Sequence, residues 1–95
     1  MLSSICKYPL EVKDRCRMSL PLGSQVMFID KIQPPGEATA VLLWAKIDPS
    51  VQRTELREFE MFTDGQEYDS KGRRYIGSVL LNTGMTHWFE KAILQ

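Results

Sequence analysis

Residues 71–75, Lys71-Gly72-Arg73-Arg74-Tyr75, gather the side chains best suited to chemistry in this chain. The glycine lets the backbone come close to a ligand, and the two arginines carry planar forks that match phosphate oxygens. Tyr75, together with Trp44, Trp88 and Tyr8 elsewhere, offers flat faces on which nucleobases could stack. Such a cluster could hold a nucleotide, although no Walker or Rossmann glycine pattern accompanies it. There is also a purely structural reading. Asp64, Glu67 and Asp69 lie nearby in sequence, a basic loop in such company is ordinarily salt-bridged and solvent-facing, and each aromatic residue suits a core.

The inventory for catalysis is thin. One histidine and two cysteines, Cys6 and Cys16, with no CxxC pair, do not supply a tetrahedral zinc site. His87 could serve a nucleophile, but it sits between Thr86 and Trp88 in a presumed strand and no G-x-S-x-G elbow precedes it. It reads as a histidine that makes structural hydrogen bonds or lines a pocket. Glu58 and Glu60 share one face of a presumed strand and could hold a cation or act as acid and base. The simpler expectation is the solvated face of an edge strand, where charge blocks edge-to-edge pairing. Neither an enzyme nor a cofactor is therefore expected. The cysteines are expected as free thiols packed like small hydrophobes, a bridge between them requiring that their segments pair in antiparallel fashion.

What must position these residues is a β framework. Turn residues recur at short intervals: Pro9, Pro21 with Gly23, Pro34-Pro35-Gly36, Asp48-Pro49-Ser50, Asp64-Gly65, Asp69-Ser70-Lys71-Gly72 and Asn82-Thr83-Gly84. With no long amphipathic segment between them, they predict a mostly β domain of about six or seven strands, a small antiparallel barrel-like or sandwich fold. Residues 25–33 and 38–47 form one predicted hairpin around the Pro34-Pro35-Gly36 turn, the second strand β-branched and aromatic enough to be central and covered on both faces. Residues 74–81 and 85–93 form another around Asn82-Thr83-Gly84. Residues 48–63 are ambiguous: Asp48, Pro49 and the Leu56, Phe59, Phe62 spacing suit a helix, whereas Arg57, Phe59 and Met61 alternate as in a strand, with Phe62 out of phase as at a bulge. All-β neighbours favour the strand.

Ninety-five residues fit one domain spanning 1–95. A chain this short buries only about 60 to 65% of its unfolded surface. Without a covalent staple it is expected to gain apolar burial from copies of itself, as a dimer or tetramer. Twelve basic and twelve acidic side chains cancel, so no global field draws the protein onto DNA, RNA or an anionic membrane. The longest apolar run, residues 38–45, is interrupted by Thr39 and falls far short of the roughly 20 residues that span a bilayer. Residues 1–10 lack the long apolar stretch of a signal peptide, and a cytosolic protein is expected.

The order of certain short pieces resembles a family of small phage proteins. Those pieces are Lys7-Tyr8-Pro9-Leu10, Trp44-Ala45, the phenylalanine-rich stretch 59–65 with its turn, Tyr75-Ile76-Gly77, and His87-Trp88-Phe89-Glu90. The likeness covers nearly the whole chain, and its motifs are structural, not catalytic. One departure matters: the family's turn often reads Gly-Thr-Gly-His, whereas Phe62-Thr63-Asp64-Gly65-Gln66 stands here, so no role of that histidine carries over. The family in turn resembles the oligomeric anti-CBASS sponges, phage proteins that sequester cyclic dinucleotide signals without cleaving them. The resemblance implies a cyclic purine dinucleotide such as cyclic GMP-AMP as ligand and the cytosol of an infected bacterium as setting. Arg73 and Arg74 would then meet phosphates, with Tyr75, Trp88, His87 and Tyr8 around the bases. Nanomolar binding needs about −12 kcal/mol, which a ligand of roughly 45 heavy atoms can supply at about −0.3 kcal/mol per atom. The alternative is a protein-interaction module, an inhibitor of a host enzyme or an accessory virion piece, in which the same residues are interface hot spots.

Overall fold

Strands and tight turns account for the described residues, 2–93, of the computed structural model, and none of them is helical. The elements are β1 (Ser4–Leu10), β2 (Arg15–Pro21), β3 (Gln25–Ile32), β4 (Ala40–Ile47), β5 (Thr54–Thr63), β6 (Arg73–Leu81) and β7 (Gly84–Lys91). They form two antiparallel sheets, ordered β1-β4-β3 and β2-β5-β7-β6. No helix among the described residues is long and apolar enough to cross a membrane.

The turn chemistry explains the breaks. Pro34 accepts a hydrogen bond from the Glu37 amide, with Gly36 at φ 77° as the third residue, the geometry that proline and glycine favour in a type II turn. Asp48 does not cap a helix. Its Oδ1 accepts from the Ser50 amide at 2.9 Å and its carbonyl from the Val51 amide at 3.1 Å, an Asx turn built from the same residues that suggested a helix start. Residues 54–63 are thus a strand, as preferred from sequence. Phe62 is no bulge, since it pairs in unbroken register with His87. The register shifts fall elsewhere, between Val26 and Phe28 and between Tyr75 and Gly77.

Inward-facing residues of both sheets make one core cluster, including Leu20, Val41, Leu43, Ala45, Phe59, Val79 and Trp88. β4 is central in its sheet, and β3, its hairpin partner, is an outer strand lying against β6 of the other sheet. Lys31 crosses that seam, donating from Nζ to the Leu80 carbonyl at 2.7 Å. Gly77 sits at a tight approach between the sheets: at φ 151°, a Cβ there would lie 2.8 Å from Ile29 Cγ1. Gly77→Ala is therefore expected to destabilise the fold by about 1 to 3 kcal/mol, as overpacking of a tight contact does. Urea unfolding measures this, and an unchanged midpoint would show that the seam is looser than it looks.

Cys6 and Cys16 are both free. β1 pairs with β4 and β2 with β5, so the antiparallel pairing that a bridge required does not occur. Burial pushes the Cys16 thiol above its ordinary value, which keeps it protonated and unreactive.

Candidate ligand clefts on the second sheet

The outer face of the four-stranded sheet is covered by its own loop. Gly65, at φ 77°, lets residues 63–66 turn back, with the Gln66 amide donating to the Thr63 carbonyl at 3.1 Å. The chain then lays Tyr68 across the sheet, stacked on Phe62 with centroids 4.9 Å apart and planes 19° from parallel, and tilted over Phe89 at 4.9 Å. Tyr75 meets Phe89 edge-on at 5.5 Å. A second turn closes at Gly72, the Lys71 amide donating to Asp69 Oδ1 at 3.0 Å.

Between this loop and the strands lies a cleft of about 500 Å³, lined by Phe62, Tyr68, Tyr75 and Phe89 together with Asp64, Ser78 and His87. The polar residues form one chain. His87 Nε2 lies 2.6 Å from Asp64 Oδ1, His87 Nδ1 lies 2.7 Å from Ser78 Oγ, and Ser78 Oγ lies 2.6 Å from Tyr75 Oη. Sequence reasoning missed the role of Ser78 and Asp64. The two-residue turn at Asn82-Thr83 could have revealed Ser78, because the register counted back from it pairs Ser78 with His87.

The order Ser–His–Asp matches a nucleophile relay in its connections. Such a relay also needs fixed donors where an oxyanion would form. Ser78 sits within β6, not on the sharp turn that exposes a nucleophile beside backbone amides.

A second cleft, of about 810 Å³, opens at the start of β6 and is lined by Gly72, Arg73, Arg74, Arg57 and Lys91 with Glu55 and Glu90. Its arginines differ in what they have left to give. Arg57 donates to the Ser24 carbonyl at 2.8 Å, to Glu55 Oε1 at 2.9 Å, and through Nε and Nη2 to the two oxygens of Glu90. The hydrogen bond to Glu90 outweighs burial and raises the Arg57 pKa further. Burial pushes the Glu90 carboxyl up, but hydrogen bonds and charge from Arg57 and Arg74 overcome it and hold Glu90 below its ordinary value. Arg73 is also occupied, on Glu60 Oε1 at 2.6 Å and on the Asp69 carbonyl at 2.7 Å, with its guanidinium 5.9 Å from the Phe62 ring centroid. Arg74 makes a single bond to Glu90 Oε1 at 3.1 Å and leaves its side chain 57% exposed.

The sequence-derived site residues thus divide. Tyr75 and His87 share the aromatic cleft, and Arg73 and Arg74 line the basic one. Trp88 belongs to neither. It is fully buried, its Nε1 donating to Thr86 Oγ1 at 2.9 Å, so its ring is a core element and no base can stack on it. Tyr8 lies on β1 of the other sheet and packs against the core. Glu58 and Glu60 are a further correction. β5 runs between β2 and β7 instead of along an edge, and both carboxylates are covered, Glu58 by Arg17 at 2.7 Å with Lys91 at 3.8 Å, Glu60 by Arg73. Burial pushes the Glu58 carboxyl up, yet the cations around it, Arg17 foremost, bring it below its ordinary value. Trp44 stacks on Phe28 at 4.9 Å on the outer face of the three-stranded sheet, away from the core.

Fold and clefts define a seven-stranded, two-sheet antiparallel protein whose aromatic and basic recesses both draw on the start of one strand. The chain belongs to the family described as a domain of unknown function, DUF7352, whose model matches residues 1–94. Comparison with curated proteins and with solved structures finds no match.

Proposed function

We propose that the protein binds and sequesters a nucleotide-class ligand without cleaving it, with a cyclic purine dinucleotide such as cyclic GMP-AMP as the specific candidate. The supporting observation is that neighbouring residues of the edge strand β6 serve both recesses, Arg74 on the core-side face with Glu90 and Tyr75 on the outer face with Phe89, so that one ligand engaging both wraps the edge of the strand. A ligand with a flat ring and a phosphate needs that pairing of surfaces. Arg74 is the phosphate contact in this reading, because it makes one hydrogen bond and is the most exposed of the three cleft arginines, while Arg73 with three bonds and Arg57 with four hold the framework. The phage anti-defence setting rests on the sequence resemblance alone.

Calorimetry with cyclic GMP-AMP, followed by chromatography of the recovered ligand, tests the proposal. Tight binding with the ligand intact is expected. Arg74→Ala should weaken it by about 1.5 to 3 kcal/mol, as for loss of a hydrogen bond to a charged group. Arg73→Ala should instead lower the melting temperature, by stranding the covered Glu60. No binding at tens of micromolar protein would end the sequestration reading, and a cleaved product would convert it to an enzyme.

A second reading, a protein-interaction module, draws on the outer face of the three-stranded sheet. There Ile5 is 60% exposed, Phe28 46% and Ile32 37%, around the Phe28–Trp44 stack. Large apolar residues grouped on an open sheet face often meet a partner. The same face would serve self-association into a dimer or tetramer, which light scattering at micromolar concentration would report.

A further inference from the structure

We propose that the chain Asp64–His87–Ser78–Tyr75 makes the aromatic cleft selective for rings that present an N–H donor at the edge facing Tyr75, amino-substituted purines over those with a carbonyl at the same position. This rests on the binding reading above and specifies the ligand edge. An ionised carboxylate only accepts, so Asp64 draws the single proton of a neutral imidazole to Nε2 of His87, 2.6 Å away. Nδ1 is then an acceptor, and the Ser78 hydroxyl, 2.7 Å from it, must donate. Having spent its hydrogen, Ser78 Oγ accepts from the Tyr75 hydroxyl at 2.6 Å. The phenol oxygen at the end of the chain keeps lone pairs and no free hydrogen.

Tyr75 stands at the cleft with 56% of its surface exposed, beside Tyr68 at 45%. A ring lying against Tyr68 meets the Tyr75 phenol oxygen as an acceptor at its edge. An exocyclic amino group satisfies it, whereas a carbonyl there sets two acceptors against each other, which costs affinity. The chain thus transmits the charge of Asp64 to the ligand edge without Asp64 touching the ligand.

Two pairs of probes, titrated at pH 8, test this. Adenosine against inosine at millimolar concentration, followed through the aromatic cleft resonances in NMR spectra, isolates the ring edge. Cyclic di-AMP against cyclic di-IMP, followed by calorimetry, adds the phosphates. The amino-bearing member of each pair is expected to bind about tenfold more tightly, the ratio for roughly one net hydrogen bond. Tyr75→Phe should bring the ratio near one while keeping residual stacking, and Ser78→Ala should lower it by freeing the Tyr75 hydroxyl to donate. Equal binding of both members, or a ratio untouched by Tyr75→Phe, would overturn the selectivity and leave the binding reading standing. Nucleoside discrimination without dinucleotide binding would support the edge and remove the dinucleotide. If none of the four probes binds, both proposals fall.

Discussion

Trp88→Ala should cost about 3 to 5 kcal/mol, the range for removing a large aromatic side chain from a packed core. Trp88 has no exposed surface, lies in the shared core with Phe59, Leu20 and Val41, and satisfies its own N–H on Thr86 Oγ1. Thr86 in turn donates to the Val79 carbonyl at 2.7 Å, so β6 and β7 are tied together inside the core. Domains of this kind hold only about 5 to 15 kcal/mol in total, so the alanine exchange removes a large share of the stability of the fold. Urea titration of Trp88→Phe, which keeps most of the volume and loses the N–H bond, gives a smaller measurable step if the alanine variant yields no native baseline. A loss under about 1 kcal/mol for either exchange, joined to weakened ligand binding, would place the ring at a ligand site after all.

Arg57→Ala should cost about 3 kcal/mol, the lower end for removing one partner of a buried ion pair, because the two side chains retain 16% and 13% exposure. The exchange strands Glu90 with only its single bond to Arg74 and leaves the Ser24 carbonyl without the guanidinium. Acid should change the comparison in a defined direction. The folded pKa of Glu90 lies below its ordinary value, so its contribution is complete above the unfolded value of roughly 4.3 and lost as pH falls through the folded one. Wild-type stability should therefore drop on acidification through this group. The variant, whose Glu90 is no longer held down by Arg57, should lose less, and the gap between the two should narrow below about pH 4. A gap that widens in acid would show that Glu90 draws its stabilisation from elsewhere.

Much of the fold was legible because turns are local. The Pro34-Pro35-Gly36 and Asn82-Thr83-Gly84 turns needed only neighbouring backbone preferences, and both hairpins followed from them. Strand pairings distant in sequence were not legible, and this is why Glu58 and Glu60 were misplaced: their alternation identified a strand but could not say that β2 and β7 flank it. Trp88 was ambiguous for a related reason, since a tryptophan in a strand suits a core or a stacking platform until the face it occupies is known. Arg73 and Arg74 are adjacent and chemically identical, and only the carboxylates opposite them, Glu60 and Glu90, separate the occupied arginine from the available one. Ser78 drew no notice because a lone serine in a strand carries no signal without its register.

The interleaving of strands between sheets has a consequence in time. β3–β4 and β6–β7 close with neighbours in sequence, but β1 waits for β4 and β2 for β5. A chain growing from its amino end thus carries β1 unpaired until residues 40–47 have emerged and β2 until residues 54–63 have. Non-local pairings of this kind are slow to form, and unpaired strand edges are the surfaces through which immature chains stick to one another. The nascent protein is exposed to aggregation while its first two strands stand idle, an interval that the completion of β5 ends for them.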